Sequence, residues 1–216
     1  MGDSVKKDLV KGVYYTAVAK YSSIIVSLVV TGVLSRIISP EDFGVVAIAT
    51  VIIQFFGNFS DMGIEPAIIQ HKNLTKRDLS NIFSFTVWSG VIITTIFFFL
   101  SWPISNYYEN KTLLIICQLL SVNLFFATTN IVPNALLYRD KQFKFIARRT
   151  LTVQLIGGGA SVVAALCGLG LYSLIINPIF SSIFLFIVSY RKYPQKLYFT
   201  FGFESIRPIF SYSLYQ

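Results

Sequence analysis

Charge is scarce in this chain. Asp, Glu, Lys and Arg make up 13% of its 216 residues, against roughly 25% in a soluble domain. So little charge cannot clothe a water-facing surface. That excludes an ordinary soluble globular protein and makes lipid the expected solvent. Histidine occurs once, at position 71, and cysteine twice, at 117 and 167. Without a CxxC pair or a His/Cys cluster, neither a metal site nor a disulfide is expected. No Ser/His/Asp or Cys/His set for nucleophilic catalysis can be assembled either. Both cysteines sit within or at the end of apolar runs and read as small apolar residues, and His71, beside Lys72, reads as exposed. The phosphate-binding glycine patterns are missing too, because Gly157-Gly158-Gly159 lies inside a hydrophobic stretch rather than after a strand. Every connection is short, which argues against an enzyme working from an extramembrane loop.

Apolar residues are abundant, at 54% of the chain. They gather into six runs long enough to cross a hydrocarbon core of about 30 Å, which takes roughly 20 helical residues. The expected spans are 13–37, 40–59, 79–103, 112–132, 145–167 and 169–190. The first is too long for a signal-peptide core and lacks a small-residue cleavage site. A further apolar run begins near Ile206 and stops at Gln216. The expected class is therefore all-α, a polytopic membrane protein with six transmembrane helices and the start of a seventh. Ser39-Pro40-Glu41-Asp42 and Thr75-Lys76-Arg77-Asp78 have the pattern of helix starts. Asp61-Met62-Gly63 and Pro66 interrupt the tail of the second span, and Asn177-Pro178 is expected to kink the sixth.

The net charge of +8 suggests nucleic acid in a soluble protein. Here it serves orientation, and no nucleic-acid partner is expected. Of the eighteen Lys and Arg residues, fifteen fall in the N-terminal tail and the 2–3, 4–5 and 6–7 connections. The alternate connections hold only Arg36 and Lys111, and Lys20 lies inside the first span. By the positive-inside rule the N-terminus and the basic connections are expected in the cytoplasm.

Thr16, Lys20, Ser23, Ser27, Thr31 and Ser35 recur at helical spacing over an arc of about 120°. Such a stripe either lets helices pack closely or lines a water-filled cavity. Lys20 sits about 10 Å into the membrane. It either attracts an anionic group such as a phosphate or reaches back to the interface on its long stem. Arg36 closes the first span near Glu41 and Asp42, where an interfacial salt bridge is expected. Arg148 and Arg149 open the fifth span; most arginines there set topology, and one of them is a candidate for a headgroup or pyrophosphate. Asp61 and Glu65 flank the break in the second span. They either cap and solvate a helix end or bind a coupling ion or proton. Gln154 and Asn123 are polar in mid-span and suggest interhelical hydrogen bonds. Gly157, Ser161 and Ala165 form a small-xxx-small face suited to close packing.

Several segments resemble the bacterial oligosaccharide flippases of the Wzx type. Leu34-Ser-Arg-Ile-Ile-Ser-Pro-Glu-Asp-Phe-Gly44 is similar to their signature between the first two helices. Phe59-Ser-Asp-Met-Gly-Ile64, with Ile68-Ile-Gln70, resembles the segment that follows. Leu74-Thr-Lys-Arg-Asp-Leu79 resembles the start of their third helix. Pro133-Asn-Ala-Leu-Leu-Tyr-Arg139, with Phe143 and Phe145, resembles their 4–5 loop. The resemblance covers essentially the whole chain and is weak for the substrate. It implies an exporter-like fold of two six-helix lobes around a central cavity, in the bacterial cytoplasmic membrane. Residues 1–204 are then the N-terminal lobe and 205–216 the truncated start of the second. The implied activity is movement of undecaprenyl-pyrophosphate-linked oligosaccharide from inner to outer leaflet by alternating access, driven by an ion or proton gradient. Implied partners are that lipid-linked oligosaccharide, the bilayer, and polysaccharide polymerase and chain-length proteins; no cofactor is implied. Lys20, Ser23, Ser27, Thr31, Arg36 and Arg149 are then the candidate substrate-binding residues, and Asp61 and Glu65 the candidates for ion coupling. The alternatives are a drug or small-solute exporter of the same fold, a membrane enzyme of polysaccharide assembly, and a structural membrane subunit.

Overall fold

The structure is a computed structural model that describes residues 2–61, 63–71 and 73–198, with the backbone alone for residues 2–11 and 13. The side chains of Lys6, Lys7 and Lys11, the residues Met62, Lys72 and Arg207, and the expected seventh run at 205–216 lie outside the described residues. Among the described residues all regular structure is helical. The elements are α1 (Gly2–Leu34), α2 (Pro40–Asp61), α3 (Ile64–Gln70), α4 (Lys76–Tyr107), α5 (Lys111–Thr129), α6 (Ile131–Arg139), α7 (Phe143–Leu166) and α8 (Ser173–Lys192), the last preceded by a 3₁₀ turn at Gly170–Tyr172. Six helical stretches are long and apolar enough to span a membrane: Tyr14–Leu34, Pro40–Gln70, Lys76–Tyr107, Lys111–Thr129, Phe143–Leu166 and Gly170–Lys192.

Local chemistry sets several of these boundaries. Before α2, Ser39 Oγ accepts the Asp42 backbone N–H at 3.2 Å, with Pro40 at the first helical position, where its missing N–H is harmless. At α4 the capping box is complete: Thr75 Oγ accepts the Asp78 N–H at 3.2 Å, and Asp78 Oδ2 accepts the Thr75 N–H at 3.0 Å. Asn110 caps α5 through Oδ1, which accepts the N–H groups of Thr112 and Leu113. Gly63 takes the left-handed conformation (φ 73°, ψ 13°) that starts α3, a region glycine enters without a Cβ penalty.

Two differences from the expected spans matter for function. First, α1 is helical from Gly2, well before residue 13. Second, the fourth span ends at Thr129, and α6 forms where a loop had been expected. Pro133 lies in the first turn of α6, where the lost donor has no intrahelical partner. Pro66 has the same place in α3. These two short helices pack on each other and on the start of α4 through Ile64, Ile68, Ile82, Val132 and Leu136, all buried. Towards the other end, Ala49, Phe97, Ile116, Leu120 and Ile175 join α2, α4, α5 and α8.

In lipid, close fit rather than desolvation holds helices together, and the glycines of α7 provide that fit. A Cβ on Gly157 would stand 2.4 Å from Asn177 Oδ1 of α8, and one on Gly158 would stand 2.8 Å from Val30 of α1. Ser161 Oγ accepts the Asn177 backbone N–H at 3.1 Å, just ahead of Pro178, and α8 runs on through that proline. Ala165 packs with Leu34 and Ile38. The packing use expected for this face is the one observed. Cys117 is fully buried in the core as a small apolar residue, whereas Cys167 is exposed at the end of α7. The apolar run ends at Leu166, so the second thiol falls just past the packed part of the helix.

Candidate functional site

The breaks after α2 and after α5 bring α3 and α6 together, and a chain of polar side chains crosses the bundle beside them. Asp61 Oδ1, at the end of α2, accepts the Glu65 backbone N–H at 3.3 Å. The Glu65 carboxylate accepts from Asn134 Nδ2 of α6 at 2.9 Å. Asn134 Oδ1 in turn accepts from Arg149 Nη2 of α7 at 2.9 Å. Arg149 Nη1 donates to Ser189 Oγ of α8. Five helices are thus linked through two carboxylates, one amide and one guanidinium. Arg149 is only 7% exposed, and its Nε is buried without a partner. A buried cation persists where opposite charge and hydrogen bonds offset its desolvation, and here the offset reaches it through Asn134.

Two recesses meet at the carboxylates. One, of about 450 Å³, is lined by Thr50, Gln54, Asn58, Asn123, Asp61 and Glu65 among others. The second, of about 420 Å³, contains Asp61, Glu65, Pro66 and Tyr138. Asp61 and Glu65 belong to both. A half-buried carboxylate between two openings can exchange a proton or small cation with either one.

The other sequence candidates lie elsewhere. Thr16, Lys20, Ser27, Thr31 and Ser35 are exposed and Ser23 is half-buried, with its Oγ lacking a partner. The face of α1 that packs on α7 carries Gly12, Ala19, Val30 and Leu34. The hydroxyl stripe borders this face, and all its members but Ser23 are exposed. Arg36 is exposed in an open groove with Val29, Gly32, Val33 and Ile37. It forms no ion pair with Glu41 or Asp42 within 4.0 Å, so the expected salt bridge is corrected: the turn at 35–39 separates them, and Ser39 takes the Asp42 N–H. Asn123 lines the first recess, and among the described residues neither it nor Gln154 makes the interhelical hydrogen bond its position suggested. His71 is exposed. Asp61 does cap α3, as one of its two readings held, while the Glu65 side chain turns to Asn134.

Asn134 and Ser189 were not singled out in the sequence as site residues. Their signal is weak: each is one short polar residue in an apolar helix, far in sequence from Glu65 and Arg149.

Six helices long and apolar enough to cross a membrane define a multi-pass membrane protein. The chain belongs to the polysaccharide biosynthesis protein family, whose profile matches residues 33–216. It is 28% identical over 162 residues to the lipopolysaccharide biosynthesis protein WzxC of Escherichia coli (strain K12), covering 75% of this chain and 33% of that protein. To the succinoglycan biosynthesis transport protein ExoT of Rhizobium meliloti (strain 1021) it is 22% identical over 169 residues, covering 78% and 34%. To the teichuronic acid biosynthesis protein TuaB of Bacillus subtilis (strain 168) it is 20% identical over 215 residues, covering 99% and 44%. The chain spans between about a third and under half the length of the curated relatives it matches. No solved structure matches it.

Proposed function

We propose that this chain acts as the N-terminal lobe of a transporter, not an enzyme, that moves lipid-linked oligosaccharide from the inner to the outer leaflet of a bacterial cytoplasmic membrane. The family and the relatives' part in surface-polysaccharide synthesis support this reading, and so does a relative named as a transport protein. Coverage of less than half of each relative supports a two-lobed machine, with residues 1–204 forming one lobe and 205–216 opening the other. The N-terminus and the basic connections face the cytoplasm in this account. Undecaprenyl-pyrophosphate-linked repeat units are the expected substrate. Polymerase and chain-length proteins would receive the product.

The observation that carries the reading is the Glu65–Asn134–Arg149 chain between two recesses. Glu65 serves as the coupling group, with Asp61 beside it. Protonation removes the negative charge that offsets Arg149 through Asn134. That weakens the tie between the α3–α6 pair and α7–α8, a two-state element of the kind alternating access needs. Lys20, Ser23, Ser27 and Thr31 line the face turned to the second lobe, where an ammonium attracts pyrophosphate and hydroxyls bond sugar. Arg36 marks the outer end of that path. Arg149 acts on substrate only when the chain opens.

The test is rescue of surface polysaccharide in a flippase-deficient strain by the complete gene product. At matched expression, Lys20→Ala and Glu65→Gln are each expected to reduce rescue by tenfold or more. Normal rescue by Lys20→Ala removes the substrate role of the stripe, and normal rescue by Glu65→Gln removes the coupling role.

A further inference from the structure

Another cavity lies away from the polar chain, where α4 begins and α6 and α8 end. It measures about 670 Å³, and Lys76, Arg77, Arg139, Lys192 and Lys196 line it. Among the described residues no acidic side chain lines it. The two nearest acids in sequence are already committed. Asp78 closes the α4 capping box with Thr75. Asp140 accepts the Tyr193 hydroxyl at 2.5 Å and lies 3.8 Å from Arg139 Nε. Burial, followed by the bond to Asp140, pushes the Tyr193 phenol up to about 12, so it stays a neutral donor. Arg139 keeps one buried nitrogen, Nη1, without any partner.

The pocket is built rather than incidental. The segment after α8 folds back along α4: Ser80 Oγ accepts the Lys196 N–H at 3.3 Å, and Ser84 Oγ accepts the Tyr198 N–H at 2.8 Å. Lys192 is fixed by Gln142 Oε1 at 2.8 Å and by the Phe145 ring at 4.0 Å. The floor includes Leu79 and Leu136, both buried. Of the five cations only Arg139 has a carboxylate within 4.0 Å among the described residues, Asp140; the cations repel one another, and a bound anion relieves that repulsion.

We infer that this cavity is a binding site for the phosphate-bearing headgroup of an anionic membrane phospholipid. Phosphate is the matching chemistry, since Arg forks and Lys point charges both favour it. Placement selects a lipid over a free anion. The site sits at the ends of helices long and apolar enough to cross a membrane, where headgroups are expected, and offers an apolar floor beneath a cationic rim. It is distinct from the recesses at Glu65 and independent of the transported substrate.

The test is lipid binding to the detergent-solubilised chain, followed by native mass spectrometry with short-chain phosphatidylglycerol, phosphatidylcholine and inorganic pyrophosphate as probes. The variant is Lys76→Gln/Arg77→Gln/Lys196→Gln, three exposed positions that leave Arg139 and Lys192 in place. The control is Lys141→Gln/Lys144→Gln/Arg148→Gln, also exposed and equal in charge change but outside the lining. Each basic residue near an anionic lipid surface is worth roughly fivefold in affinity. The pocket triple should therefore weaken phosphatidylglycerol binding by about 100-fold, and the control by under about fivefold. Phosphatidylcholine should bind no tighter to wild type than to the pocket triple. Equal losses in both triples, or none in either, overturn the proposal, as does full displacement of phosphatidylglycerol by equimolar pyrophosphate. Thermal unfolding within about 2 °C of wild type establishes that the pocket triple is folded; should it not be, the single Lys196→Gln variant gives the same decision at about fivefold.

Discussion

Asn134→Ala removes the centre of the polar chain, and its cost follows from the bonds it breaks. Asn134 accepts from Arg149 and donates to Glu65, each at 2.9 Å. Hydrogen bonds to charged groups contribute about 1.5–3 kcal/mol each. Two such bonds set an upper range of about 3–6 kcal/mol. Some is regained, because Glu65 is only half-buried and water from either recess can reach it, and Arg149 keeps Ser189. A net loss of about 3 kcal/mol is the working figure, a shift of about 100-fold in the folding equilibrium. For a chain of this size it lowers the thermal midpoint by about 6–12 °C. The assay is thermal unfolding of the purified protein in a neutral detergent, with Glu65→Gln and the double variant run alongside. Residues sharing one network couple by about 0.5–3 kcal/mol, so the two losses should not add. A midpoint for Asn134→Ala within about 1 °C of wild type, or strict additivity with Glu65→Gln, refutes the account of Arg149 as held through Asn134.

The glycines of α7 give a paired contrast. Gly157→Ala drives a Cβ against Asn177 and should destabilise by about 1–3 kcal/mol, whereas Gly159, with nothing within 4 Å, should accept Ala with a gain of up to about 1 kcal/mol. Equal effects in thermal unfolding contradict the packing of α7 on α8. Thr75→Ala opens the α4 capping box and should cost about 1 kcal/mol; an unchanged midpoint contradicts that cap. Orientation is checked by labelling intact cells from outside with an impermeant thiol reagent in a Cys117→Ala/Cys167→Ala background. Tyr108→Cys should be labelled and Lys141→Cys protected, and the reverse pattern overturns the topology.

The six spans were legible because length and hydropathy alone decide them: lipid demands about 20 apolar residues per crossing, whatever the partners. The helix starts at Ser39 and Thr75 were legible because capping is local chemistry. The short helix α6 was not. Its residues read as part of the 4–5 loop, and whether Pro133 sits in a first turn depends on where α5 stops. The site was half legible. Asp61 and Glu65 stand out as carboxylates beside a helix break, and Arg149 as a cation at the mouth of a span. Nothing local says that they share one network, because the link is an asparagine on another helix. On α1 the stripe was visible but its use was not. Periodicity groups Thr16 to Ser35 on one face without saying which face meets α7, and the packing residues Gly12, Ala19, Val30 and Leu34 lie beside that stripe.

Transport of a lipid-linked oligosaccharide can be told from its synthesis in the native host. Deleting the gene in its native host and assigning lipid-linked repeat units to each leaflet separates transport from synthesis. The account expects completed pyrophosphate-linked units to accumulate in the inner leaflet while surface polymer falls at least tenfold. Absence of the completed units would indicate a synthetic enzyme, their build-up in the outer leaflet would indicate polymerisation, and unchanged polymer would contradict any part in that route.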